Sequence, residues 1–249
     1  MPRLMDKDAG QTHQTLHGFN FSAVKIENLG ASDYSIVTVV QDISGSVAPF
    51  SSEMEATLKK ILEACQKSPR SGNLLLRLVS FNSDVVEIHG FRELKTIDPN
   101  EYTGALNCRG STAVRDAILN SAEATEAYGK QLSSMDFRCN GVMFVISDGQ
   151  DNASVVAKDP KKLKEAFNKI KTGEVDLESF NTVMIGVGTD KADLNFLEAL
   201  SKESGFDQYV EMGAATPARL AKLADFISKS ISSTSMALGT GQPSQLLTF

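Results

Sequence analysis

Residues Tyr34-Ser35-Ile36-Val37-Thr38-Val39-Val40 form a nearly unbroken β-branched run. A strand with one wet face alternates apolar and polar side chains. A run without that alternation suits a strand covered on both faces, as in a parallel sheet with helices above and below. The rest of the chain keeps to that frame. Leu74 to Phe81, Gly141 to Ser147, Thr182 to Val187 and the short Gln208 to Met212 read as further strands. Val85 to Phe91 follows Leu74 to Phe81 across the turn Asn82-Ser83-Asp84, a spacing that predicts an antiparallel edge strand.

Between the strands lie segments with apolar residues at helical spacing. Met54, Leu58, Ile61, Leu62 and Cys65 make one stripe, and Val114, Ile118, Ala122 and Thr125 lie on a helix expected from Thr112 to Gln131. Leu163, Phe167 and Ile170 make the next, followed by Leu194, Leu197 and Leu200, and then by Leu220, Leu223, Ile227 and Ile231. Start signals precede several of them. Ser52 and Glu55 have capping-box spacing, Asp159-Pro160 and Thr216-Pro217 pair a cap with a first-turn proline, and Asp193 opens the fourth helix. The expected fold is α/β: a doubly wound, mainly parallel sheet with one antiparallel edge strand and helices on both faces. Residues 1–33 read as an N-terminal arm, 34–231 as the domain, and 232–249 as a Ser/Gly-rich C-terminal tail too poor in apolar side chains to order itself.

Composition removes whole classes of function. A net charge of −6 argues against nucleic acid or an anionic membrane surface as partner. The Lys-rich stretch from Lys158 to Lys171 reads as a solvated helix face. No stretch approaches the roughly 18 apolar residues of a membrane span, and residues 1–18 lack the apolar segment of a secretory signal. Cys65, Cys108 and Cys139 fit reduced thiols, so a cytoplasmic location is expected. Their spacing matches no short zinc-ligand pattern.

Three loops carry the chemistry. Asp42-Ile43-Ser44-Gly45-Ser46 follows the first strand, Gly110-Ser111-Thr112 precedes a helix, and Ser147-Asp148-Gly149 follows another strand. In a doubly wound sheet the carboxyl ends of parallel strands share one edge, so their loops line one crevice. Taken singly, each string is weak, since Ser, Thr and Asp commonly cap helices. Their order and strand-loop-helix setting make the set specific.

The set resembles the metal-ion-dependent adhesion site of the von Willebrand factor A family, over roughly residues 34 to 231. Asp42, Ser44 and Ser46 match the family's D-x-S-x-S loop, Thr112 its threonine and Asp148 its second aspartate; Ser147-Asp148-Gly149-Gln150-Asp151-Asn152 resembles its strand-end segment. The resemblance implies a divalent cation, Mg²⁺ or Mn²⁺, bound through hydroxyls, with aspartates acting largely through water. It also implies a protein partner that completes the coordination with a Glu or Asp. Hard oxygen donors agree with Mg²⁺ or Mn²⁺ over zinc. Among bacterial relatives the chain is most similar to the small intracellular TerY-type group. That likeness implies a stress-response or defence setting and partners such as a kinase, a phosphatase or an AAA ATPase.

The competing expectation is a metal-dependent hydrolase or phosphoryl-transfer enzyme in the same crevice. Asp151 would be its spare carboxylate and Asp42 a conceivable nucleophile. No Ser-His-Asp set or G-x-S-x-G elbow supports it. Gly186-Val187-Gly188 lacks the third glycine of a dinucleotide fingerprint. Of the histidines, His13 and His17 fall in the arm and His89 in the expected edge strand, where a structural or exposed role outweighs a catalytic one. A third possibility is a scaffold whose metal only tightens the loops.

Overall fold

A computed structural model describes residues 11–16, 19–172, 177–242, 244 and 246–249. Its centre is the β-branched run, which forms β3 (Asp33–Asp42), buried from Tyr34 to its end. On one side of it lies β4 (Leu74–Phe81), also buried throughout, and on the other β6 (Arg138–Ser147). β7 (Leu177–Val187) and β8 (Gln208–Gly213) extend the sheet beyond β6, and all four contacts among these five strands are parallel. The absence of alternation in the core strands thus has the expected cause, which is helices on both faces.

Two layers of helices provide that cover. α1 (Ser51–Gln66) and α5 (Pro217–Thr240) bury Met54, Leu58, Ile61, Leu223 and Ile227 against Val37, Val39 and Phe144 on one face. α2 (Val114–Ser133), α3 (Lys161–Lys171) and α4 (Lys191–Ser204) bury Ile118, Leu163, Phe167 and Leu197 against Val40, Val145 and Met184 on the other.

Several local signals resolve differently from their sequence reading. The Ser52–Glu55 pair is not a capping box. The helix begins at Ser51 without a side-chain cap, and Glu55 accepts hydrogen bonds from the amides of Gly104 and Leu106, 3.0 Å each. Thr112 precedes α2 rather than starting it. α4 is capped by Asp190, which accepts from Ala192 and Asp193, so Asp193 sits in its first turn. Asp159 does cap the amide of Lys161, one residue after the expected start.

The largest departures are at the two ends. β5 (Val85–Glu93) is antiparallel to β4, as its turn suggests, but it is not the edge. Part of the expected arm continues the sheet: β1 (Gln11–Leu16) and β2 (Phe19–Val24) form an antiparallel hairpin beyond β5, giving the order β1-β2-β5-β4-β3-β6-β7-β8. Phe21 and Ala23 are buried there. Phe21 meets Phe91 edge-on at 6.5 Å, Phe91 stacks on Tyr128 at 5.1 Å, and the Tyr128 hydroxyl donates to the carbonyl of Val24. Each ring so buried is worth about 1.5–3 kcal/mol, enough to hold a segment with little else to recommend it.

The expected tail is likewise structured. α5 runs on to Thr240 with Thr234, Ser235 and Leu238 buried, and ends at Gly241 in the left-handed region (φ 68°). Small hydroxyl side chains let the helix lie close to the sheet, where Asn140 donates to the Thr234 carbonyl and Arg70 to the Ser235 hydroxyl. A stretch that reads as disordered by composition is a helix face filled by its neighbours. Beyond it, Leu246, Leu247 and Phe249 pack on the core, with Phe249 edge-on to Phe226. No described helix is long and apolar enough to cross a membrane.

Candidate metal site

The carboxyl ends of β3 and β6 lie side by side, so Asp42 at the end of one and Ser147-Asp148 at the end of the other come together as the parallel register requires. Asp42 is wholly buried and bonded on both oxygens. Its Oδ1 accepts the amide of Ser44 at 2.7 Å, and its Oδ2 the hydroxyl of Ser147 at 2.6 Å. The hydroxyls of Ser44 and Ser46 are 3.1 Å apart, and Ser46 donates to Asp148 at 2.8 Å. Four of the five expected residues therefore form one hydrogen-bonded chain.

Thr112 joins them through its loop. The amide of Gly45 donates to the carbonyl of Gly110, and that of Arg109 to the carbonyl of Ile43. Gly110 has φ +76°, a backbone conformation that glycine takes at no steric cost. The amide of Thr112 donates to Asn152 at 2.7 Å, and its carbonyl accepts from the amides of Asn152 and Ala153. Among the described residues no hydrogen bond joins the Thr112 hydroxyl to the other four, although the residue is nearly buried beside them, at 5% exposure.

Residues outside the five expected ligands do much of the positioning. Ser147 fixes Asp42, and Asn152 fixes Thr112. Asp116, in the first turn of α2, accepts the amides of Val155, Val156 and Ala157 and so clips the third loop to the helix that follows the second. Asp151 accepts the amide of Arg115 and both donors of Ser154. In the sequence, Ser147 and Asn152 are the end positions of the segment that resembles the family's strand-end pattern, whereas nothing distinguishes Asp116 from an ordinary helix-start residue.

The charge balance is uneven. Burial raises the Asp42 carboxyl above its ordinary range, outweighing the bonds from Ser147 and Ser44. Burial, and then the charge of Asp42, push Asp148 up to about 6. Among the described residues neither carboxylate has a Lys or Arg within ion-pair distance. The Cys108 thiol nearby rises to about 11, chiefly by burial, with Asp42, Glu55 and Asp148 adding to it, so it is no activated nucleophile. Among the described residues no group of three or more His, Cys, Asp or Glu side chains could hold a metal. The candidate donors are two carboxylates and three hydroxyls, all hard oxygens, a set that fits a small divalent cation of the Mg²⁺ kind.

The other noted residues lie elsewhere. His89 is buried, donates through Nδ1 to the carbonyl of Gly90 and accepts the hydroxyl of Tyr102 at Nε2, both at 2.9 Å. Burial lowers its pKa to about 4 and keeps the ring neutral. His13 lies on β1, and His17 lies outside the described residues. A cavity of about 560 Å³ opens between β1–β2 and β5 and shares no residue with the metal site.

No family model matches the chain, and no curated protein matches it in sequence. Its likenesses are of shape. It is similar to the PilB minor pilin from Streptococcus sanguinis at 15% identity and a TM-score of 0.61, over 91% of this chain and 67% of that one. It is similar to the pilus adhesin SpaC from Lactobacillus rhamnosus GG at 13% identity and TM-score 0.59, over 82% of this chain and 30% of that one. Proximal thread matrix protein 1 from the mussel byssus aligns at 20% identity and TM-score 0.56, over 81% and 47%. A further structure of that mussel protein carries zinc in what is named its MIDAS motif, with 19% identity and TM-score 0.53 over 81% and 46%. The chain spans under half the length of the mussel and Lactobacillus proteins. Identities this low speak to the fold, which is the doubly wound α/β architecture of von Willebrand factor A-type domains.

Proposed function

We propose that this chain is a metal-dependent protein-interaction module. Asp42, Ser44, Ser46, Thr112 and Asp148 hold a divalent cation, Mg²⁺ or Mn²⁺, and a partner protein docks a Glu or Asp onto it. The observation that carries this reading is the pair of carboxylates raised by burial, Asp148 also by the charge of Asp42, with no Lys or Arg paired to either among the described residues. A divalent cation supplies the missing charge and a Lewis-acidic position for an acidic ligand. The chain's own residues orient it. Ser147 and the Ser44 amide fix Asp42, Ser46 ties Asp148 to the first loop, and Asn152 sets the threonine loop. The zinc-bearing mussel protein of like fold lends support to a divalent ion in this position.

The module is not an enzyme on this reading. Asp151, the spare carboxylate that a hydrolase would need, is committed to Arg115 and Ser154, and its side chain is only 3% exposed. The TerY-type resemblance nominates a kinase, a phosphatase or an AAA ATPase as the partner to try first, in a bacterial cytoplasm.

A thermal melt in EDTA, Mg²⁺, Mn²⁺ and Zn²⁺, on the wild type and on Asp42→Ala, tests the site. Binding to the folded state alone raises the midpoint as RT ln(1 + [L]/Kd), or about 2.7 kcal/mol at a hundredfold excess over Kd. The expected outcome is a rise with Mg²⁺ or Mn²⁺ in the wild type and none in the variant. A wild-type midpoint unmoved by all three ions, with no ion density between Ser44, Ser46 and Thr112 after soaking a crystal, removes the proposal. A shift without any acidic partner whose capture tracks the ion favours the scaffold version.

A further inference from the structure

The two edges of the sheet are built differently. On β8 the register slips between Gly186 and Val187, Glu211 projects into solvent, and Gln208 is bonded to the carbonyl of Leu247, so that edge is irregular and charged. β1 is the opposite. It pairs with β2 in unbroken register from Gln11 to Leu16, and among the described residues nothing pairs with its outer side. Residues 11 to 24 contain no Asp, Glu, Lys or Arg, in a chain where these types make up 22%. They contain no proline either. Exposed edges are normally blunted by charge, proline or a bulge, because a row of free amides and carbonyls is a template for another strand. β1 carries none of these.

We infer that the outer edge of β1 pairs antiparallel with β1 of a second copy, giving a two-fold dimer with one sheet running through both subunits. Three observations select a second copy as occupant. Self-pairing about a two-fold axis sets each strand against its own sequence, and an uncharged strand meets itself without like-charge repulsion. The same contact satisfies both edges at once and closes. The charged, irregular β8 disfavours the head-to-tail contact, β1 on β8, that would propagate a fibre. A six-residue edge buries less than the ~1,600 Å² of a standard interface, so association belongs in the range of roughly 10–100 µM. The inference is independent of the metal site, which lies at the strand ends rather than on this edge.

Sedimentation of the wild type from about 1 to 200 µM, bracketing that range, is expected to show the mass rising from 26.9 kDa toward twice that value. His13→Lys/Gln14→Lys puts a lysine on each face of β1, so the antiparallel registers centred on the middle of the strand, which pair most of its length, bring like charges together. It should stay monomeric, with association weakened at least ~10-fold. His13→Glu/Gln14→Glu should behave likewise, and an equimolar mixture of the two should recover the dimer. His13 is exposed and Gln14 only half-buried, which favours folding of both variants, and their melts check it. Should either fail to fold, amide exchange in wild-type β1 serves instead, with protection expected to rise with protein concentration. A wild type that stays monomeric throughout overturns the inference. So do lysine variants that dimerise as well as the wild type, or a β1 edge that is protected only by a foreign protein's strand.

Discussion

Asp148 is the residue of the proposed site whose protonation the fold changes most legibly. Its carboxyl has a pKa of about 6 in the fold against an ordinary 3.8. The metal-free folded state therefore holds a proton that the unfolded chain has lost, and stability through this group rises as pH falls through 6 toward 4. Above pH 6 the full cost of an ionised Asp148 is present, chiefly its burial and then the charge of Asp42 beside it. In EDTA at about pH 7.5, above that titration, Asp148→Asn should melt higher than the wild type, and the gap should close by about pH 5 as the wild type protonates. Mg²⁺ should no longer raise its midpoint. A variant that melts lower at the higher pH would mean that the Ser46 bond outweighs the repulsion.

At the level of whole elements, the end of α5 is the sharpest contrast between composition and packing. Ser232 to Thr240 carries mostly small residues, yet Thr234, Ser235 and Leu238 are buried, and Asn140, Arg70 and Arg138 donate to the Thr234 carbonyl, the Ser235 hydroxyl and the Leu238 carbonyl. Truncation after Ile231 should cost at least about 3 kcal/mol and lower the midpoint by roughly 6 °C or more. A detached tail would leave the melt unchanged. The elements legible in the sequence are those whose signal is local. β3 and β4 announce themselves by unbroken apolar runs, and the three site loops by their residue types and their place after or before regular elements. The hairpin was illegible because its fixed points are single long-range contacts, Phe21 on Phe91 and Tyr128 on Val24, with no periodicity behind them. The helix end was illegible because serine and threonine look alike whether they face water or a neighbouring strand. Within the site, Asp42 and Asp148 stood out, whereas Ser147, Asn152 and Asp116 act through partners far along the chain.

Across the whole molecule, stability should be graded from the centre of the sheet outward. β3, β4 and β6 are covered on both faces and paired on both sides, whereas β2 meets β5 in register only at Ala23 and Phe91. Amides of β3 and β6 should exchange only on global opening and those of β2 by local opening, at least ~100-fold faster. Equal protection would show the hairpin to be part of the cooperative core. β2 is held otherwise by side chains. Glu87 accepts the amide and hydroxyl of Ser22 and is itself gripped by buried Arg77. The close approach has its own condition, since a Cβ on Gly90 would stand 2.0 Å from the Ser22 carbonyl oxygen, closer than two such atoms can come. In genetic terms the hairpin hangs on one codon. Every missense change a single base from a glycine codon adds a β-carbon, and at position 90 each such carbon strikes the same oxygen. Among descendants of this gene, position 90 and the docking of β2 should be lost together.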